Sequence, residues 1–213
     1  MSWLAIDASG GRAGLAVVGE DGAARHKVFA PLRPGLIETL PVLLAEAVKD
    51  GGITNVAVTI GPGSFTGLRT SIALAQGYAA AAGLPLWGIG VAEAYHVPFP
   101  QIHRPLWVVV RARRGRVFLL REGAAAAFAD EDVPAARTPI ALAGDAANDT
   151  AARLAARGVD VMLTNAKAID PVWVARAAMA RLADGLAPQP AQPLYVDPPE
   201  AKLPAAGLRP APV

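Results

Sequence analysis

The chain has 213 residues, of which 53% are hydrophobic and 18% charged, with a formal net charge of +2 and no cysteine. That length suits one generous domain or two lobes of about a hundred residues, each with a core of its own. The missing cysteines exclude disulfides, thiolate metal sites and cysteine nucleophiles together, and so small a net charge supplies no whole-molecule field for nucleic acid.

Charged residues break nearly every apolar run before it reaches the ~18 residues of a membrane span, so no transmembrane helix is expected. No basic leader or cleavage pattern follows Met1, and a cytoplasmic location is expected. Trp3–Asp7, Gly14–Val18 and His26–Ala30 are short strand-like runs separated by Ser9-Gly10-Gly11 and Gly19-Glu20-Asp21-Gly22, which reads as a three-stranded antiparallel meander. Leu36, Ile37, Leu40, Leu43, Leu44, Ala47 and Val48 recur at helical spacing, and Pro41 inside the run predicts a kink or a late start near Thr39.

Asn55–Ile60 is a near-continuous apolar strand, followed by the loop Gly61-Pro62-Gly63-Ser64-Phe65-Thr66-Gly67 and a long alanine-rich helix to about Ala82. A strand at Leu86–Ile89 and a short helix at Val91–His96 lead into Pro98, Pro100 and Pro105, where the lobe boundary is expected. The second half restarts with strands at Leu106–Arg111 and Arg116–Arg121, a strand at Ile140–Ala143, and helices at Ala146–Ala156 and Pro171–Ala183. Both halves open with an antiparallel hairpin and continue in strand and helix alternation, the outline of a duplicated α/β fold. The expected division is 1–98, 99–187 and a proline-rich tail over 188–213 that runs extended on the surface or stays disordered.

A glycine loop between strand and helix aims backbone N–H groups and a positive dipole end at whatever lies in front of it, which makes it a candidate anion site. It lacks the Lys-Ser/Thr ending of a Walker loop and the three-glycine spacing of a dinucleotide fingerprint, and Arg69 is its one supporting cation. The alternative is structural: the glycines allow a tight turn, and Ser64 or Thr66 caps the helix. The helix after the loop is apolar nearly all round and must be covered on both sides. If it and the first helix share one side of a sheet, their outer faces form an apolar patch suited to a partner, with mutual burial inside one chain as the alternative.

The nonapeptide Gly61–Arg69 (GPGSFTGLR), with the alanine-rich helix behind it, closely resembles the signature of the TsaB (YeaZ-like) family and of its catalytic paralogue TsaD. Leu4–Asp7, the Arg113–Phe118 hairpin and Pro193–Lys202 resemble the same family at matching places. The resemblance implies a two-lobed actin-like, Hsp70-like fold, each lobe a mixed sheet with flanking helices. It implies a non-catalytic subunit of tRNA threonylcarbamoyladenosine synthesis that pairs with a TsaD-like catalytic subunit and works with a TsaE-like ATPase. Contact with tRNA is then indirect, and the lone chain is expected to form a homodimer through the same helices. The implied partner face comprises Leu36, Leu40, Leu43, Thr70, Ala73, Leu74 and Gly77. The implied vestigial anion site comprises Gly61, Pro62, Gly63, Ser64, Phe65, Thr66, Gly67, Arg69 and Asp7.

TsaD-like enzymes carry a His-x-x-x-His pair on the first helix, which sets two imidazoles on one face to hold a metal. Leu36–Val48 has no histidine, and His26, His96 and His103 are nowhere four apart, so no catalytic residue, metal or cofactor is assigned. Asp7 resembles the first phosphate-loop aspartate of the actin-like fold, or simply caps the Ser9-Gly10 turn. Arg111 stands where relatives place an acid, and with Arg104, Arg113, Arg114, Arg116 and Arg121 it forms a basic span. That span could meet tRNA phosphates or serve as a charged, solvated hairpin edge. The alternative function is an independent enzyme of the actin-like superfamily, either a nucleotide-dependent phosphotransferase or an M22-type metallopeptidase.

Overall fold

In the computed structural model the described residues are 1–31, 36–113 and 115–196; residues 32–35, the side chains of Leu36 and Ile37, Arg114 and the tail over 197–213 lie outside them. The meander forms as β1 (Ser2–Asp7), β2 (Arg12–Gly19) and β3 (Ala24–Pro31), all antiparallel. Helix α1 (Leu36–Val48) starts at Leu36 and runs through Pro41, so the late start is not seen. Strand β4 (Ile53–Gly61), α2 (Phe65–Ala82), β5 (Leu86–Gly90) and α3 (Val91–His96) follow, with β4 parallel to both β1 and β5.

The second half gives β6 (Leu106–Arg113), β7 (Arg116–Arg121) and β8 (Ala124–Ala129) as an antiparallel meander, then β9 (Ile140–Ala143), α4 (Ala147–Ala156), β10 (Val161–Leu163) and α5 (Pro171–Ala183). Strands β6, β9 and β10 are parallel. The sheet orders are β3-β2-β1-β4-β5 and β8-β7-β6-β9-β10. Position for position this is one topology used twice, and the fold is the expected two-lobed actin-like arrangement. Strands β8 and β10 were not anticipated: Ala124–Ala129 is almost all alanine, a poor strand former, and Val161–Leu163 is too short to show a period.

Every residue of β1 is buried, so this strand needs cover on both faces. The period-2 alternation sends Leu4 and Ile6 to a core shared with Leu40, Leu44, Leu68, Ile72 and Ala75, which puts α1 and α2 on one side of the first sheet. Trp3 and Ala5 point the other way, into a core with Trp87, Tyr95, Val108, Val110, Val174 and Ala178 that joins the two sheets through α3 and α5. Trp107 and Val109 face a third core with Ile140, Leu142 and Leu154 under α4.

Helix α5 is pinned to the first lobe although it comes from the far end of the chain. Its N-cap Asp170 accepts from Val172 N at 3.0 Å, with Pro171 favouring the first turn. The same aspartate takes Lys27 Nζ of β3 at 2.8 Å. Arg176 donates twice to the Gly22 carbonyl (3.0 and 2.9 Å), and Arg181 pairs with Glu93 of α3 at 3.2 Å.

The burial pattern on α1 separates core from surface. Leu40 is 0% exposed and Val42 is 68% exposed. Leu40→Ala should therefore cost about 2–5 kcal/mol in urea unfolding, and Val42→Ala less than about 0.5 kcal/mol; equal losses would mean that α1 is rotated from the orientation described.

Candidate functional site

Strand β4 delivers the glycine loop to the start of α2, where Ser64 is the N-cap and its Oγ accepts from Gly67 N at 3.2 Å. The Ser64 N–H donates to the Ser9 carbonyl at 2.8 Å, tying the loop to the β1–β2 turn. A Cβ added at Gly63 would run into that same Ser9 carbonyl, so this glycine is required by the close approach of two backbones. Two of the N–H groups that could have faced an anion are thus committed within the chain.

Asp7 sits at the centre of this junction. Its Oδ1 accepts from Ser9 N (3.1 Å), Ser9 Oγ (2.7 Å) and Thr59 Oγ1 (2.7 Å). It therefore caps the Ser9 turn and also ties β1 to β4 through Thr59. Burial pushes its carboxyl above the ordinary range, against the donated bonds and the nearby charge of Arg12.

Asp145, in the turn between β9 and α4, has no place among the residues that the sequence points to, and it accepts from Arg111 N of β6 at 2.8 Å. Burial raises its carboxyl as well. Burial, with the negative charges of Asp7 and Asp145, pushes the Tyr95 phenol far above its usual range. The available signal was a Gly-Asp pair between a buried strand and a helix, in the half of the chain that repeats the first.

The arginine span is largely engaged inside the chain. Arg104 pairs with Asp160 at 2.7 Å, Arg111 with Asp149, and Arg121 lies over the Trp107 ring at 4.7 Å. The three histidines are separate: His26 is half-buried on β3, His96 ends α3 with Nδ1 2.7 Å from the Ala92 carbonyl oxygen, and His103 is exposed. Among the described residues no three His, Asp or Glu side chains gather where a metal ion could sit.

The outer face of α1 and α2 departs from the expected residue set in one respect. Leu40 lies in the core, because helical spacing aligns it with Leu44 and Ala47 toward the sheet. Leu43, Thr70 and Leu74 are half-buried, Ala73 and Gly77 are exposed, and Val42, outside the helical period of the apolar residues, is 68% exposed. A Cβ on Gly77 would meet nothing within 4 Å.

The tail was given no structure from the sequence, yet its first part is held firmly. Gly88 N donates to the Gln189 carbonyl (3.0 Å), Gln76 Nε2 to the Ala191 carbonyl (2.8 Å) and Leu194 N to the Ile60 carbonyl (2.7 Å). Ala191 is buried in the α1–α2 core, and a side chain at Gly88 would strike the Pro190 carbonyl. This strap ends with Tyr195 against the start of α2.

The raised Asp7 carboxyl has a consequence for stability. A folded-state value above the unfolded one means a contribution that is full below the ordinary carboxylate range and lost as pH rises through the raised value. Asp7→Asn keeps an oxygen acceptor at Oδ1 without the charge. It should be more stable than the parent chain at pH 7 in urea unfolding, and the gap should close toward about pH 3; a variant less stable at pH 7 would show the carboxylate to be favourably held there.

Residues 35–171 match the family model described as TsaD, tRNA N6-adenosine threonylcarbamoyltransferase. No curated protein matches the chain. Among solved structures it resembles an uncharacterized Pseudomonas aeruginosa protein with similarity to peptidase YeaZ, at 20% identity and TM-score 0.72, covering 92% of this chain and 99% of that one. YeaZ from Pseudomonas aeruginosa gives 20% identity and TM-score 0.68 over 91% and 99%. The ethanolamine utilization protein EutJ from Carboxydothermus hydrogenoformans gives 15% identity and TM-score 0.50 over 82% and 89%. At such identities the structural likeness speaks for the fold, a YeaZ-like one. With the family model spanning well over half of its length, the chain belongs to the TsaD family of tRNA N6-adenosine threonylcarbamoyltransferase proteins.

Proposed function

We propose that this chain is the TsaB-type, non-catalytic member of a tRNA threonylcarbamoyladenosine synthesis complex, pairing with a TsaD-like catalytic subunit through the outer face of α1 and α2. The observation that carries this reading is Gly77. A glycine inside a helix costs about 1 kcal/mol relative to alanine, and Gly77 has open space around it, so nothing among the described residues requires it. A glycine next to Ala73 on an exposed apolar helix lets a second helix approach closely, with Val42 and the half-buried Leu43 and Leu74 beside it.

The absence of histidine from Leu36–Val48 supports a non-catalytic role, because the metal-holding pair of TsaD-like enzymes has no counterpart there. Arg111 in place of an acid also supports it. On this reading a TsaE-like ATPase completes the machinery, tRNA is engaged through the complex, the lone chain pairs with a second copy through the same helices, and the protein works in the cytoplasm. Among the described residues no helix is long and apolar enough to cross a membrane.

Two acids at the ends of core strands, Asp7 on β1 and Asp145 between β9 and α4, favour a second reading: an independent nucleotide-dependent enzyme of the actin-like superfamily. The two readings part in a reconstituted tRNA threonylcarbamoylation assay with matched TsaD, TsaE and carbamoyl-adenylate supply. Modification is expected to require this chain, and Ala73→Arg or Gly77→Arg to abolish both activity and TsaD binding. Gly77→Arg should at the same time leave the isolated chain, unfolded at a concentration where it is monomeric, as stable or more stable, by up to about 1 kcal/mol. Full modification without the chain would turn the assignment toward the second reading.

A further inference from the structure

The charged group nearest the open face of α2 is held in an unusual way. Arg69 is the only charged residue of Phe65–Ala82. Its guanidinium lies 3.9 Å from the Phe65 ring centroid and 5.9 Å from that of Tyr195, and its Nε donates to the Tyr195 hydroxyl at 3.0 Å. The two rings stand 6.2 Å apart and are 57% and 53% exposed. The Leu194 N–H bond to the Ile60 carbonyl holds the strap beside Tyr195, and the ring contact with Phe65 and the bond to the Tyr195 hydroxyl restrict the rotamers of Arg69 before any partner arrives.

Among the described residues the two Nη groups of Arg69 meet no acceptor. With one ring on the guanidinium plane and Nε already bonded, the Nη pair is the remaining donor edge, with the geometry to donate to a two-pronged acceptor. Arg69, Ala73 and Gly77 are spaced four apart and form one stripe along α2. A helix laid on the small residues of that stripe brings one of its side chains over Arg69.

Resting on the partner reading given above, we propose that Arg69, braced by Phe65 and the strap residue Tyr195, is the polar anchor of this face and takes a carboxylate from a helix of the partner subunit. The surroundings favour a protein carboxylate over an RNA phosphate. A nucleic-acid surface gathers several cations, whereas one arginine flanked by tyrosine, phenylalanine and small apolar residues has the composition of a protein–protein hot spot. Tyr195 is a positioning residue, acting through Arg69.

The test is the affinity of the full chain for the matched TsaD-like subunit, by titration calorimetry at low and high salt, with the thermal midpoint of each variant as a folding control. Arg69→Gln should weaken binding about 30-fold or more and flatten its salt dependence, because a paired charge is left alone. Arg69→Lys should not restore it, since an ammonium cannot reproduce the fork. Tyr195→Phe should weaken it about 3- to 10-fold with the midpoint unchanged. If Ala73→Arg abolishes binding while Arg69→Gln binds like the parent, the anchor is overturned and the partner face stands. If Ala73→Arg also binds like the parent, the partner face falls and the anchor with it. If Arg69→Gln loses affinity for tRNA alone, the acceptor is phosphate and the carboxylate proposal is overturned.

Discussion

A strand buried on both faces sets the terms for the rest of this molecule. All six residues of β1 are out of solvent, and the meander beside it can cover neither face of its own sheet. One face is closed by α1 and α2, which come next in the chain. The other is closed by α3 and by α5, which arrives only after the whole second sheet has been built. The joint between the lobes is thus a by-product of completing the first core, and Lys27–Asp170, Arg176–Gly22 and Arg181–Glu93 fasten what burial has already placed.

Most elements were legible because their hydrophobic period was strong. Leu36–Val48 follows its apolar period without the late start that Pro41 suggests, Pro171–Ala183 matches its predicted span, and the Gly61–Arg69 nonapeptide marks both the loop and the helix behind it. What failed to show was structure made by long-range pairing. Strands β8 and β10 exist because β7 and β9 offer them edges. The strap is held by bonds to Gly88, Gln76 and Ile60, none of which a proline-rich segment announces. Leu40 was assigned outward because two apolar faces on one helix look alike until the position of the sheet is known.

The loop illustrates how one motif serves structure before any ligand. Ser64 caps α2, its N–H holds Ser9, and Ser9 in turn holds Asp7, so the first turn of α2 and the end of β1 form a single hydrogen-bonded unit. In the second lobe the corresponding tie runs the other way, from the Arg111 N–H of β6 to Asp145 in the turn after β9. By sheet order β6 is the counterpart of β1, and near its end it carries Arg111 where β1 carries Asp7, so the acid at that strand end was not kept in the second lobe.

The strap also decides when the first lobe is finished. Strand β5 keeps an open backbone edge at Gly88, and the α1–α2 core lacks Ala191, until the chain has run through the second sheet and α5. A ribosome that has released only the first hundred residues has therefore released an incomplete fold, with one sheet face bare and one edge unpaired. The lobe that is synthesised first is closed last.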